Sequence, residues 1–228
     1  MYDNLSVILP AFNEEENIED VVNDIFRYVP NCVNDFEVIV INDGSTDDTQ
    51  SVVDRMGRLY SNLKIVSHER NMGFGCAART GIRRAGKEWI FIMDADGQFR
   101  IDDFGPLWMK RHGYDYILGF RKKREDNLYR FFMGRLGALI SSLLLKKRIA
   151  DIDCGFKLFK AEDLKALSLC STGGAIYFEI FYNLFKNNKN RFLQCPVNHY
   201  PRKRGRQTGG RLKTIVKILL EGAKALIK

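Results

Sequence analysis

The sequence predicts an α/β protein, a mostly parallel central sheet with helices on both faces. Two observations carry this. Trp89-Ile90-Phe91-Ile92-Met93 is a continuous apolar run of strand length, the pattern of a strand buried on both faces. Around it, apolar strands and amphipathic helices alternate as β-α-β-α-β-α-β over about ninety residues, as parallel strands joined by crossover helices do.

The elements follow in order. Leu5-Ser6-Val7-Ile8-Leu9 reads as the first strand, with Pro10 ending it. Asn13 is placed to cap a helix whose first turn carries Glu14, Glu15 and Glu16 and whose apolar face is Val21, Val22, Ile25 and Phe26. Glu37 to Ile41 is the second strand; the turn Asn42-Asp43-Gly44-Ser45-Thr46-Asp47 then opens a helix to about Tyr60. Lys64 to Val66 is a short third strand, and a helix from Cys76 to Ala85 leads into the run at Trp89. Beyond Gln98 the rhythm changes. A helix is expected from Asp102 towards His112, a strand over Tyr114–Leu118, a helix over Leu128–Leu145 and a strand over Gly155–Phe159. A helix from about Ala175 to Asn187, a strand over Phe192–Val197 and a Gly/Arg-rich loop over residues 201–210 complete a first domain, 1–210. From Arg211 to Lys228 an amphipathic helix is expected, with Leu212, Ile215, Val216 and Leu219 on one face and lysines on the other.

The 228-residue chain carries a net charge of +8, unevenly placed. Residues 202–228 hold nine Lys/Arg against Glu221 alone, and residues 121–148 hold nine against two acids, so the remaining body is acidic. Two basic segments on an acidic body point to an anionic partner met on one side. The five cysteines form no CxxC pair, which reads as reduced and cytosolic. No apolar run approaches the roughly 20 residues that span a bilayer.

Met93 runs straight into Asp94-Ala95-Asp96-Gly97-Gln98. Two carboxylates one residue apart, at the carboxyl end of a buried strand, sit where open α/β sheets bind ligands. Their mutual repulsion would be relieved by a divalent cation, and oxygen ligands favour Mg²⁺ or Mn²⁺, with Gln98 as a third oxygen. The plainer alternative is a surface turn, since Asp-x-Asp-Gly is ordinary turn chemistry. Asn13/Glu14, Asp43 and Asp94/Asp96 each follow a strand, so a parallel sheet should bring them to one edge. Asp43 could accept hydrogen bonds from a base or ribose, or simply form its turn with Gly44. His68, His112 and His199 stand isolated in the sequence and read as structural or surface residues.

Five motifs, Pro10-Ala11-Phe12-Asn13-Glu14, Asn42-Asp43-Gly44-Ser45-Thr46-Asp47, Asn71-Met72-Gly73-Phe74-Gly75, Asp94-Ala95-Asp96-Gly97-Gln98 and Asp153-Cys154-Gly155-Phe156-Lys157, occur in an order and spacing that resembles family 2 glycosyltransferases. Within that family the likeness is to dolichyl-phosphate mannose synthases and other polyprenyl-phosphate glycosyltransferases, over about residues 4–210. The resemblance implies a GT-A fold, a nucleoside diphosphate sugar donor (GDP-mannose or UDP-hexose) and inversion at the anomeric carbon. It places Pro10, Phe12, Glu14 and Asp43 on the nucleoside, with Ala11, Gly75, Asp94, Ala95 and Asp96 lining the nucleotide sugar. It gives the metal to Asp94, Asp96 and Gln98. Arg121, in Gly119-Phe120-Arg121 where the family usually has Gly-Ser-Arg, Arg135 and Arg202 match phosphate-meeting positions. Glu179 matches an acidic position that would orient the acceptor, its plainer role being to cap or pair within its helix.

This division of labour is chemically coherent. Negative charge develops on the departing diphosphate and a metal with arginines would stabilise it. A polyprenyl phosphate is already an anionic nucleophile, so no histidine base is needed. The Leu128–Leu145 segment fits an interfacial helix or a buried core helix, and the tail from Leu212 fits the membrane surface or packing on protein. The expected location is cytoplasmic, peripheral at the inner membrane face. Lasting residence there needs the tail, a homo-oligomer or a separate membrane-spanning partner. Rival readings are a saccharide or protein-linked acceptor, a non-catalytic scaffold, and a nucleic-acid-binding module. Carboxylates at the presumed site argue against the last, because they would repel nucleic-acid phosphate.

Overall fold

The computed structural model describes residues 3–122, 139, 141–202 and 204. Among the described residues seven strands form one sheet: β1 (Asn4–Ala11), β2 (Asp35–Asn42), β3 (Leu63–Ser67), β4 (Trp89–Met93), β5 (Tyr116–Arg121), β6 (Phe156–Lys160) and β7 (Phe192–Val197). Their spatial order is β3-β2-β1-β4-β6-β5-β7. β1 runs parallel to β2 and β4, β2 to β3, and β5 to β7, while β6 lies antiparallel between β4 and β5. The helices are α1 (Ile18–Tyr28), α2 (Thr49–Leu59), α3 (Phe74–Arg84), α4 (Phe104–Met109), α5 (Ala161–Lys165) and α6 (Ile176–Lys186).

The sheet has an apolar core on each face, which is why its central strands read as unbroken apolar runs. Side chains alternate across a strand. Val7, Leu9, Val38, Val40 and Phe91 therefore pack with Val22, Ile25, Val53 and Phe104 on one side. Ile8, Ile39, Ile41, Ile90 and Ile92 pack with Ala77, Ile82, Ile176, Ile180 and Phe181 on the other. Each such fully buried aliphatic or aromatic side chain is worth about 1.5–3 kcal/mol. All five residues of β4 are buried. The strand is thereby fixed from both faces, and so is the point at which Asp94 leaves it.

Several expectations change. Pro10 does not end β1, which continues to Ala11 with Pro10 opposite Ile41. Pairing with β4 runs only from Leu5 to Ile8, so at Pro10 the strand has a neighbour on one side and the missing N–H is tolerated. Asn13 does not cap a helix. It sits in the left-handed region (φ 56), and α1 begins at Ile18 with Glu19 and Asp20 in its first turn. The helix expected from Asp102 to His112 is a 3-10 turn over Ile101–Asp103 followed by α4, which stops at Met109. The strand expected over Tyr114–Leu118 lies at Tyr116–Arg121. Of the Leu128–Leu145 segment only 139 and 141–145 are described, and these are helical. The tail helix over 211–228, the boundary at 210 and Arg135 lie outside the described residues. No cysteine is disulfide-bonded. Among the described residues no helix is long and apolar enough to cross a membrane.

Candidate active site

The carboxyl ends of β1, β2 and β4 open on one cleft of about 220 Å³, lined by Pro10, Ala11, Phe12, Glu14, Asp43, Asn71, Gly73, Phe74, Ala77, Asp94, Ala95 and Asp96. The three polar strand ends thus meet, as a parallel sheet requires. The turns after β1 and β2 are stitched to each other. Thr46 N donates to Asn13 Oδ1 (2.8 Å), Asn13 N to Ser45 Oγ (3.0 Å) and Glu14 N to Thr49 Oγ1 (2.8 Å). Asn13 makes this bond from a left-handed backbone (φ 56), and the stitched turns put Phe12, Glu14 and Asp43 on the wall of one cleft.

Asp43 is buried, and its carboxylate gathers the segment after β3. Oδ1 accepts from Met72 N (3.0 Å) and lies 2.7 Å from His68 Nδ1; Oδ2 accepts from Gly73 N (2.8 Å). His68 is therefore not isolated. The register that sets Asn42 opposite Ser67 places Asp43 and His68 side by side at the strand ends. That alignment is the signal by which sequence reasoning could have found the pair.

Asp94 N donates to Gly155 O (3.1 Å), and the Asp94 carboxylate lies directly over the Gly155 Cα, where any β-carbon would overlap it. Glycine is required here by close approach. Among the described residues the Asp94 carboxylate accepts no hydrogen bond. Burial, and then the charge of Asp96, push its pKa from 3.8 up to about 7. Asp96 is raised as well, chiefly by burial, against the opposing hydrogen bond from Gln98 N (3.1 Å) and the charge of Arg202. A pair of carboxylates held in this unfavourable state fits an Mg²⁺ or Mn²⁺ ion, which takes oxygen ligands and is completed by substrate phosphates and water. Among the described residues no group of three His, Cys, Asp or Glu side chains is arranged around one point, so a cage built wholly from such side chains is not what this site offers.

Arg202 closes over this pair. Its Nη2 donates to Glu14 Oε2 (2.7 Å), its Nη1 lies 3.8 Å from Asp96 Oδ2, and the side chain is 8% exposed. Burial raises the pKa of Glu14, against the donors Asn17 and Arg202. Arg121 stands at the end of β5 with its Nε and Nη2 forked on Asp151 at 2.7 and 2.8 Å. Burial opposes its charge, but Asp151 outweighs this and holds its pKa above the usual value. Both arginines interact electrostatically with Asp96.

The remaining residues predicted for the site lie around the cleft rather than in it. Gln98 is tied to the segment after β7: its Nε2 donates to Tyr200 O (3.1 Å) and its carbonyl accepts from Tyr200 N (2.9 Å). Gly75 is packed against the 171–173 backbone, donating from its N–H to Thr172 O (2.8 Å) with no room for a β-carbon. Glu179 is buried in α6 and accepts from Cys170 N and Ser171 N, both at 2.8 Å. It thus anchors the loop that backs Gly75 rather than capping its own helix. Burial alone would raise its pKa, but the Cys170 and Ser171 donors hold it below the usual value.

Lys157, to which sequence reasoning assigned no role, is fully buried on β6. It donates to Cys154 O, lies 3.8 Å from the centre of the Tyr177 ring, and interacts electrostatically with Asp94. A lysine inside the otherwise apolar stretch from Phe156 to Phe159 was the available signal. A second cavity, of about 390 Å³, adjoins Asp96 on the α1 side; its charged lining is mixed, with Arg27, Arg100 and Arg204 against Asp20, Asp24 and Asp102 as well as Asp96.

The model of the family described as glycosyl transferase family 2 matches residues 6–185. Two relatives are dolichyl-phosphate beta-glucosyltransferases of Trichomonas vaginalis. ALG5D is 33% identical over 180 residues, covering 72% of this chain and 55% of that protein, and ALG5A is 31% identical over 178 residues with the same coverage. The chain spans about half the length of these curated relatives. Among solved structures, mannosyl-3-phosphoglycerate synthase from Rubrobacter xylanophilus matches with a TM-score of 0.76 at 15% identity, covering 98% of this chain and 74% of that one. Glucosyl-3-phosphoglycerate synthase from Mycobacterium tuberculosis, in complex with Mn²⁺, uridine diphosphate and phosphoglyceric acid, matches with a TM-score of 0.73 at 20% identity, covering 96% and 78%. These likenesses are of fold, and the fold is GT-A.

Proposed function

Because the chain belongs to glycosyl transferase family 2, we propose that it transfers a hexose, with inversion, from a nucleoside diphosphate sugar to a polyprenyl phosphate at the cytoplasmic face of a membrane. The observation that carries this is the meeting of Asp43, Asp94, Asp96 and Arg202 around one cleft edge. Glucose is the favoured sugar, since the relatives are named for glucosyl transfer to dolichyl phosphate.

The roles follow from position. Pro10, Ala11, Phe12 and Asp43 hold the nucleoside, with Asp43 accepting a base N–H. Mg²⁺ or Mn²⁺ held by Asp94 and Asp96 supplies, when bound, a Lewis acid for the charge developing on the leaving diphosphate. Arg202 exchanges its hold on Glu14 and Asp96 for the diphosphate, and Arg121, set by Asp151, faces the same charge. The acceptor phosphate attacks the anomeric carbon as an anion, so no side chain has to take a proton. The cavity beside Asp96 carries Arg27, Arg100 and Arg204 together with Asp20, Asp24 and Asp102, and offers an acceptor room next to the donor cleft. Leu139, Leu143 and Leu144 are exposed ahead of Lys146, Lys147 and Arg148, which supports contact with an anionic membrane surface. The catalytic domain proposed is residues 1–210, and the sequence from 211 adds lysines of the kind that favour an anionic surface.

A second reading, transfer to a small phosphorylated acceptor such as 3-phosphoglycerate, is favoured by the names of the structural neighbours. Thermal shift with UDP- and GDP-sugars, with and without Mn²⁺, tests the donor half. Binding raises the melting temperature by mass action. A metal-dependent rise with one nucleotide class is expected, and no rise with any nucleotide on folded protein would refute the donor site. Incubation with polyprenyl phosphate or 3-phosphoglycerate then separates the two acceptors.

A further inference from the structure

We infer that Gln98 is a positioning residue for Arg202: its side-chain amide clasps the segment after β7 to the turn after β4. The inference rests on Arg202 meeting the diphosphate of the donor. The two segments run in opposite directions, with Asn198 on Asp103, Tyr200 on Gln98 and Arg202 beside Asp96. Facing residues of an antiparallel pair exchange two backbone N–H···O bonds. Here the backbone makes one of them, from Tyr200 N to Gln98 O (2.9 Å). The backbone N–H of Gln98 is spent on Asp96 Oδ1 (3.1 Å), across Gly97 in the left-handed region (φ 72). The Gln98 side chain supplies the missing bond, from Nε2 to Tyr200 O (3.1 Å). A backbone carbonyl only accepts, so the NH2 half of the amide makes this contact. Residue 98 thus directs one N–H at Asp96 and another at the segment that carries Arg202.

The clasp sits between two other holds. On the β7 side Asn198 is bonded twice to Asp103, from N to Oδ2 (2.6 Å) and from Nδ2 to Oδ1 (3.0 Å). On the far side Arg202 holds Glu14 (2.7 Å). Tyr200 lies between, with the Arg100 guanidinium 4.6 Å from the centre of its ring. The Glu14 bond is the one Arg202 gives up when the diphosphate takes its guanidinium. The Gln98–Tyr200 pair then keeps the segment in place. Two residues of backbone reach roughly 7 Å at most, so a pinned Tyr200 confines the start of the Arg202 side chain to the rim of the site.

A glutamine needed only as a third metal oxygen could be replaced by glutamate, which offers oxygens and no N–H. A clasp could not, because a carboxylate set against Tyr200 O has nothing to donate. Substitution therefore separates the two roles.

Gln98→Glu and Gln98→Met, both close to glutamine in length, test this at pH 8, with melting temperatures confirming that each variant is folded. Amide hydrogen exchange at Tyr200, followed by NMR on the metal-free protein, should quicken about fivefold in both variants as one bond of the pair is lost. Turnover of UDP-glucose with a polyprenyl phosphate should fall about tenfold in both, because Arg202 is no longer held in place. Arg202→Gln alone should cost about a hundredfold. Adding Q98M to it should cost almost nothing more, since Gln98 acts through Arg202. Mn²⁺ binding to nucleotide-free Q98M, followed by electron paramagnetic resonance, should match wild type. Wild-type turnover in Q98E, or losses that multiply in the double variant, overturns the positioning role. Weakened Mn²⁺ binding in Q98M with unchanged Tyr200 exchange makes Gln98 a metal ligand and overturns the clasp. No transfer by folded wild type overturns the transferase reading and the positioning role with it, while unchanged Tyr200 exchange in Q98M overturns the clasp whatever the activity.

Discussion

Replacing Asp94 with Asn should make the metal-free protein more stable while removing its use for metal. In the folded chain burial and Asp96 move the Asp94 carboxyl from 3.8 to about 7. A raised carboxylate pKa means that the folded state binds its proton more tightly than the unfolded state does. Stability therefore falls as pH rises from about 4 to about 7, and the full loss is present above that. At about 1.36 kcal/mol per pH unit, the gap between 3.8 and about 7 sets an upper limit of about 4 kcal/mol. The carboxyl edge lines the cleft, where water screens it, so about half of this, about 2 kcal/mol, is expected at pH 8. Asn has nearly the same shape, fits over Gly155 and carries no charge, so D94N escapes the loss. Urea denaturation at pH 8 and pH 5 measures it. D94N should exceed wild type by about 2 kcal/mol at pH 8, and the difference should narrow towards pH 5. Saturating Mn²⁺ with a nucleotide should stabilise wild type and leave D94N nearly unchanged. Equal stability of the two proteins at pH 8, or a difference that does not depend on pH, would refute the reasoning.

Three further predictions test other parts of the site. Gly155→Ala puts a methyl group where the Asp94 carboxylate lies, so Mn²⁺ binding followed by electron paramagnetic resonance should drop at least about tenfold while circular dichroism stays native; unchanged Mn²⁺ affinity would remove Gly155 from the site's support. In wild type, Mn²⁺ affinity should weaken about tenfold between pH 8 and pH 6, because Asp94 takes up a proton across about 7 and must lose it to bind; a flat profile would contradict the raised pKa. Glu179→Ala leaves the N–H groups of Cys170 and Ser171 without their acceptor, and should destabilise the fold by about 2 kcal/mol in urea at pH 7. Because the pKa of Glu179 is lowered from 4.5, the charged part of that stabilisation is present above about pH 4.5 and disappears below it.

What was legible in the sequence is what local pattern dictates. Trp89–Met93 was read to the residue because a strand buried on both faces has to be apolar throughout. Asp43, Asp94 and Asp96 were found because they follow strands that must be parallel, and parallel strands end on one edge. What was not legible depends on register and on which chain happens to lie opposite. Nothing local says that His68 faces Asp43, or that Asn13 reaches Thr46 instead of capping a helix. For Glu179 the resemblance offered acceptor orientation and the local pattern a cap or pair within its helix; its oxygens face the 170–171 backbone, a partner that only the packing of α6 selects. Pro10 misled because its effect depends on whether a strand pairs on one side or two, and at that position β4 has already parted from β1.

The account's central claim is the transfer itself. The measurement that tests it most directly incubates purified protein with radiolabelled UDP-glucose, Mn²⁺ and a short polyprenyl phosphate, and counts label extracted into organic solvent. The account predicts organic-phase label that requires both the lipid phosphate and the metal, and that is lost in Asp96→Asn. No transfer from UDP-glucose or any other nucleotide sugar by folded, nucleotide-binding protein would contradict it, as would transfer that persists in the Asp96 variant.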